Sequence, residues 1–209
     1  MCGRFALTAT PDEIGTAFEL FDIEAFPPRY NIAPTQPVLM VLAGERREPA
    51  SNLPDRRALL ARWGFIPAWA KDTKTFPLLL NARAETATEK SSFKNAMRHR
   101  RALIPASGFY EWRRDGDNKS QPYWIRPRNG GVIAFAALFE TFSEPGGCEI
   151  DTGAILTTGA NPDIAHIHHR MPVIIQARDL SRWLDCRTLE PRDVADLMRP
   201  AESGFFEPV

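Results

Sequence analysis

Long apolar runs closed by turn residues dominate the chain, and they read as strands. Residues 37–43, PVLMVLA, are apolar throughout and predict a buried strand. Leu59 to Phe65 predicts another, ending in the turn-rich IPAWAK. RALIPAS, from Arg101, predicts a strand closed by proline and the following glycine. Residues 123–127 (YWIRP), 132–139 (VIAFAALF), 154–158 (AILTT) and 171–176 (MPVIIQ) add further strands. Helical patterns are fewer. Residues 11–21 begin Pro-Asp-Glu and place Ile14, Ala17, Phe18 and Phe21 on one stripe. Residues 84–100 are polar and helix-compatible. Residues 191–198, PRDVADLM, carry an early proline and a Val/Leu/Met face, which predicts a final helix. Strands outnumber helices, so the expected class is α+β. The expected architecture is a compact domain spanning 1–209, with mostly antiparallel twisted sheets in a barrel-like core and short flanking helices.

Composition agrees with this picture. The 209 residues suit one domain with a sizeable core. Gly (13) and Pro (18) are abundant enough to favour a loop- and sheet-rich fold over a helix bundle. Lys+Arg equals Asp+Glu at 26 each, which excludes a uniformly basic DNA-coating protein but not a basic groove on a neutral whole. No apolar run is long enough to span a bilayer, and the first residues lack the basic and apolar regions of a signal peptide. The three cysteines, Cys2, Cys148 and Cys186, form no CxxC and indicate neither a disulfide framework nor a zinc site. A reducing cytoplasm is the expected setting.

Four clusters have chemistry to offer. Cys2 follows the initiator methionine, and removal of Met1 would leave an α-amine and a thiol on adjacent carbons. Their reference pKa values are about 7.7–8.0 and about 8.5, so both are partly nucleophilic near neutral pH. Such a 1,2-aminothiol condenses with an aldehyde to an imine, and the thiol closes a five-membered thiazolidine. Gly3 permits close backbone approach. The second cluster is Asn81-Ala82-Arg83-Ala84-Glu85-Thr86, where Asn81 also reads as a helix cap and Arg83–Glu85 as a solvated pair. In the third, Glu111 sits among Phe109, Tyr110 and Trp112, surroundings that raise a carboxyl pKa toward acid–base use, though it also reads as a surface residue. The fourth is His166-Ile167-His168-His169-Arg170-Met171-Pro172. Strand alternation would place His166, His168 and Arg170 on one face. With no matching acidic or cysteine spacing, a metal site is not indicated; an acid–base histidine beside an anion-binding arginine, or a plain polar edge strand, fits better. Basic residues are interleaved with rings: Lys94, Arg98, His99, Arg100 and Arg101 form one run, and Arg4, Arg29, Arg62, Lys71 and Lys74 accompany Trp63, Phe65 and Trp69. That mixture suits single-stranded nucleic acid, although charge runs are often only solvated faces.

In order, Met-Cys-Gly-Arg-Phe, Arg29-Tyr30-Asn31-Ile32-Ala33-Pro34, Arg62-Trp63-Gly64-Phe65-Ile66-Pro67-x-Trp69-Ala70, Asn81-Ala82-Arg83-x-Glu85-Thr86, Pro105-x-x-Gly108-Phe109-Tyr110-Glu111-Trp112, His168-x-Arg170-Met171-Pro172 and Trp183-Leu184 resemble one family. It is the SRAP domain, the SOS-response-associated peptidase family, whose members crosslink to abasic sites in single-stranded DNA. The match runs from Cys2 to about Trp183. The resemblance implies that Cys2, freed of Met1, forms a thiazolidine with the ring-opened deoxyribose. It implies that Asn81 bonds near the Cys2 amine and the sugar, that Glu111 handles protons in imine formation, and that His168 assists proton transfer and reversal. Arg4, Asn31, Trp69, Lys71, Arg83 and Arg170 would hold the strand, and Trp63 would pack against bases. No metal or organic cofactor is implied, and lyase-like and self-processing peptidase activities are.

The chain departs from the family pattern at Ala102, where cysteine is frequent, and at His169, where aspartate is frequent. It ends in Phe-Phe-Glu-Pro-Val without the usual polar tail, so ubiquitin- or clamp-binding extensions are not expected, and a monomer is. Two other functional classes stay open on sequence grounds. One is an N-terminal-nucleophile cysteine peptidase or amidohydrolase, including removal of its own Met1. The other is a non-catalytic single-strand-binding module.

Overall fold

The apolar runs form strands that extend past the apolar stretch itself wherever a neighbouring strand supplies partners. The computed structural model describes residues 2–21, 23–45, 55–71, 73, 76–115, 119–144 and 146–209. In chain order the strands are β1 (Arg4–Leu7), β2 (Arg29–Ile32), β3 (Pro37–Ala43), β4 (Arg56–Trp63), β5 (Asn81–Arg83), β6 (Arg101–Ala106), β7 (Gly108–Asp115), β8 (Lys119–Pro127), β9 (Ile133–Ser143), β10 (Glu149–Gly159), β11 (Arg170–Pro172), β12 (Ile174–Ile175) and β13 (Phe206–Pro208). The helices are α1 (Pro11–Phe18), α2 (Lys94–His99) and α3 (Leu180–Leu184), with 3₁₀ turns at Ala177–Asp179 and Pro191–Met198.

One sheet is antiparallel, in the order β13-β8-β7-β1-β2. The larger sheet closes on itself. β4 pairs with β3, β3 with β6, β6 with β9, β9 with β10, and β10 returns to β4. Among the described residues only the β10–β4 and β10–β5 pairings are parallel. These pairings close the sheet into a ring, and the barrel-like expectation is met. Inside, Met40 lies against Gly153; a Cβ there would meet its sulfur at 2.5 Å, so the strand needs the smallest residue. β9 faces the barrel interior on one side and the antiparallel sheet on the other. Its residues from Ile133 to Glu140 are therefore all buried, and its sequence is continuously apolar rather than alternating. The two sheets meet through edge-to-face rings: Phe5 and Phe109 approach Phe135 at 5.8 and 6.1 Å, and Phe5 approaches Trp63 at 5.2 Å.

Local chemistry sets most ends. Thr10 caps α1 in a reciprocal box: its hydroxyl accepts from the Glu13 amide at 3.2 Å, and Glu13 accepts from the Thr10 amide at 2.7 Å. α1 stops at Phe18, short of the stripe ending at Phe21, because Glu19 turns left-handed at φ 53°. The segment 84–100 is helical only over Lys94–His99. Its first half is turned against the core, where Ala84 and Ala87 are buried. The segment 191–198 is a 3₁₀ helix rather than an α-helix, started by Pro191 and a Glu190/Asp193 box. Residues 171–176 serve two partners, β11 on β10 and β12 on β9. Among the described residues, no helix is long and apolar enough to cross a membrane.

Candidate active site

β10 is the rail on which the site is assembled. On one side β4 leaves it at Gly64, whose φ of 142° only glycine adopts easily, and β5 takes over, with Ile155 opposite Asn81 and Thr157 opposite Arg83. On the other side β11 brings Met171 and Arg170 opposite Thr158 and Gly159. Segments nearly 90 residues apart in sequence thus end at the same place (Arg170–Glu85, |i−j| of 85). The antiparallel sheet brings its own end there. β1 pairs with β7 so that Arg4 faces Tyr110, which sets Cys2 beside the Glu111 end of β7.

Cys2 is fully buried. Its carbonyl accepts a hydrogen bond from Asn81 Nδ2 at 3.1 Å. Burial, reinforced by the negative charge of Glu111, pushes its thiol well above the ordinary range, against a smaller opposing contribution from the Arg4 backbone N–H. The thiol is therefore held protonated and is not a ready-made thiolate. Asn81 Oδ1 is buried with no hydrogen-bond partner among the described residues, an acceptor aimed into the site. Glu111 is buried, and its Oε1 accepts from the Trp112 backbone N–H at 3.3 Å. Its charge reaches both Cys2 and His168.

His168 is half-buried. Its Nδ1 lies 3.0 Å from the Arg170 backbone N–H and 3.3 Å from the Arg170 carbonyl; the shorter contact has Nδ1 accepting, with the proton of the neutral ring on Nε2. Burial lowers its pKa, and Glu111 opposes that shift. A neutral imidazole at pH 7 follows. The expected strand alternation from His166 fails, because residues 162–167 are turned by bonds such as Ile164 N–H to the Asn161 carbonyl at 3.1 Å. His166 instead sits at the edge of the Tyr123 ring.

Arg170 is clamped. Its two terminal nitrogens reach Glu85 Oε1 and Oε2 at 2.6 and 2.9 Å, and Nη2 also meets the Thr157 carbonyl at 2.5 Å. Glu85 therefore pairs with Arg170 across the site rather than with its neighbour Arg83. Arg170 Nε is buried without a partner among the described residues. The Arg170 side chain lowers the Glu85 pKa. A lowered carboxylate pKa gives stability that is present above the unfolded value of about 4.3 and is lost as pH falls through the folded value. A Glu85→Gln variant is expected to lose no more than about 1 kcal/mol at pH 7, since Glu85 is half exposed. The difference from the parent should shrink as pH falls below about 4. Paired urea titrations at both pH values check this, and a loss that persists in acid would contradict it.

The strand-holding residues divide. Arg4 Nη1 donates to Asn31 Oδ1 at 3.0 Å, which puts both on the outer face of the antiparallel sheet. Arg83 and Lys71 are exposed. Trp69 is 57% exposed, packs edge-to-face on Phe76 and donates Nε1–H to the Ser91 carbonyl. Lys74 lies outside the described residues. Trp63 is a correction. It is wholly buried, donates Nε1–H to the Leu80 carbonyl and packs on Phe5, so it is a core residue and cannot stack on bases. The 94–101 run is also not a cationic surface patch: Arg98 pairs with Glu190, Arg100 with Glu140, and Arg101 is buried. Thr157, which anchors Arg170, escaped the sequence reading. Nothing in AILTT distinguishes it before β11 is placed beside β10.

Residues 1–208 match the family described as SOS response associated peptidase (SRAP). The chain belongs to this family. It is 36% identical to the abasic site processing protein YoqW of Bacillus subtilis, over 99% of this chain and 90% of that one. It is 31% identical to the abasic site processing protein HMCES of Gallus gallus, over 87% of this chain and 61% of that one. A solved structure of a protein from Bacteroides thetaiotaomicron superposes with a TM-score of 0.82 at 23% identity, covering 99% of this chain and 90% of that one, and shares the fold.

Proposed function

We propose that this protein captures abasic sites in single-stranded DNA by forming a thiazolidine between Cys2, freed of Met1, and the ring-opened deoxyribose. The observation that carries this reading is the convergence on Cys2 of Asn81, which holds its backbone, and of Glu111, whose charge acts on both Cys2 and His168. The relatives named for abasic site processing support the same substrate.

The chemistry runs from the amine. Its lone pair attacks the aldehyde carbon, giving a carbinolamine. Glu111, as carboxylate, takes the proton that the attacking amine gives up and returns it to the hydroxyl, which leaves as water, and an imine remains. The sulfur then adds to the imine carbon, and the proton it gives up is balanced by protonation of the ring nitrogen. The net change is loss of one water. The amine leads and the thiol closes the ring second, with Glu111, whose charge acts on Cys2, as its base. Asn81 Oδ1 would accept from a sugar hydroxyl. The exposed Arg83 is available to phosphate. Protonation of the ring nitrogen by the same groups would favour reversal.

Intact-mass spectrometry tests the reading. The protein, trimmed of Met1 with an aminopeptidase if it is retained, is mixed with a single-stranded oligonucleotide carrying one abasic site. A gain of the oligonucleotide mass less one water, abolished when the aldehyde is first reduced with borohydride, is the expected result. A Met1-free protein that gains no mass would overturn it.

A further inference from the structure

The outer face of the antiparallel sheet carries an aromatic row that the capture chemistry leaves unused. Arg4 on β1 is opposite Tyr110 on β7, and Tyr110 is opposite Trp124 on β8, so Asn31, Arg4, Tyr110 and Trp124 follow one another across four strands. Partners in register point to the same face. Strands lie about 4.8 Å apart, so the row extends about 10 Å from Arg4 to Trp124.

The row is built rigid. The Tyr110 hydroxyl donates to the Tyr30 carbonyl at 3.0 Å, which fixes its ring. Tyr110 and Trp124 touch at 4.8 Å between centroids, tilted by 44°. The Trp124 ring lies over Gly108, where a Cβ would meet its Cη2 and Cζ2 at 2.6 and 2.7 Å. Only glycine lets the indole settle onto the strand in this way. Tyr110 and Trp124 both remain part-exposed, and Tyr30 beside them is 66% exposed. Rings fixed on the sheet, with a cation at one end, match a nucleic-acid strand: phosphate at the arginine, bases on the rings. The row is also continuous with the capture site, since Arg4 lies two residues from Cys2.

We propose that Tyr110 and Trp124 form a stacking platform for bases on one side of the abasic nucleotide, with Arg4 holding the intervening phosphate. This deepens the capture reading and rests on it. The platform makes the protein sensitive to nucleotides on one flank of the lesion, without reading their identity.

The test measures equilibrium binding in a Cys2→Ala background, using single strands that carry a tetrahydrofuran abasic analogue. Flanks are lengthened on the 5′ side only or the 3′ side only. In the parent, lengthening one flank is expected to tighten binding. In Trp124→Leu and Tyr110→Leu that gain should shrink by about 5- to 100-fold, the range for loss of one stacked base. The salt slope should be unchanged, because no phosphate contact is removed. Arg4→Gln should lower the slope by about 1. Trp124→Phe should restore part of the length gain, which separates stacking from misfolding. A length gain that survives both leucine variants, or that shrinks equally on both flanks, would overturn the platform. If the platform variants behave as expected but the Cys2-intact protein forms no adduct, the platform stands and the capture reading falls.

Discussion

Replacing Cys2 with serine is expected to abolish the lasting adduct with abasic DNA while leaving one that only a reductant can trap. The amine that opens the reaction is still present in the serine variant, so the imine still forms. The hydroxyl is a weaker nucleophile than the sulfur and closes the ring poorly. Borohydride added during the reaction should therefore rescue a covalent product in Cys2→Ser. Without it, yield after denaturing electrophoresis should fall by at least about 100-fold, because the group that closes the stable ring is gone. Glu111→Gln should slow both forms, because it removes the carboxylate that carries the proton from the amine to the leaving hydroxyl. A Cys2→Ser protein that gives the parent's yield without reductant would exclude the thiazolidine. A Cys2→Ser protein with no reducible adduct would place the first bond on the sulfur instead of the amine.

The second large effect is structural and lies at Arg101. This side chain is 1% exposed and is spent entirely on backbone carbonyls. Nε donates to Trp183 O at 2.7 Å, Nη1 to Met97 O at 3.0 Å, and Nη2 to Asp185 O at 2.6 Å and Leu189 O at 3.1 Å. Its guanidinium also lies over the Trp183 ring, whose Nε1–H in turn donates to Ala102 O at 2.8 Å. One planar fork therefore ties α2, α3 and the loop after α3 to the start of β6. Arg101→Ala leaves four carbonyls without their donor and a cavity beside Trp183, and is expected to cost about 3–5 kcal/mol. Arg101→Lys should recover little, because a single ammonium cannot reproduce the fork. Urea unfolding followed by tryptophan fluorescence checks both. A loss under 1 kcal/mol in Arg101→Ala would show that water replaces the fork. Burial also explains why an arginine in a five-residue basic cluster reads as surface charge from sequence yet is core in the fold.

The candidate site residues stand out in the sequence because their types are unusual where they stand. A cysteine after the initiator methionine, an acid among aromatic rings and a histidine just before an arginine each carry their chemistry in the side chain, whatever the fold. The strands were legible for a related reason: burial on both faces removes polar residues from a run, and β9 shows it. What failed to show is who meets whom. Trp63 and Trp69 sit six residues apart in one motif, and hydrophobicity treats them alike. Only closure of the barrel sends the first inward onto Phe5 and leaves the second exposed beside Phe76. Glu85 invites pairing with its neighbour Arg83, but β5 and β11 flank the same stretch of β10, and Arg170 arrives to take it. The turn at 162–167 likewise breaks the alternation that would have aligned His166 with His168. The sequence alone indicated the apolar strands, the family and the candidate reactive groups, because these depend on side-chain type and local spacing. Tertiary structure decided which residues share the site, which arginine is clamped and which indole is core. Those outcomes depend on strand pairings between segments far apart in the chain, for which local pattern carries no energy term.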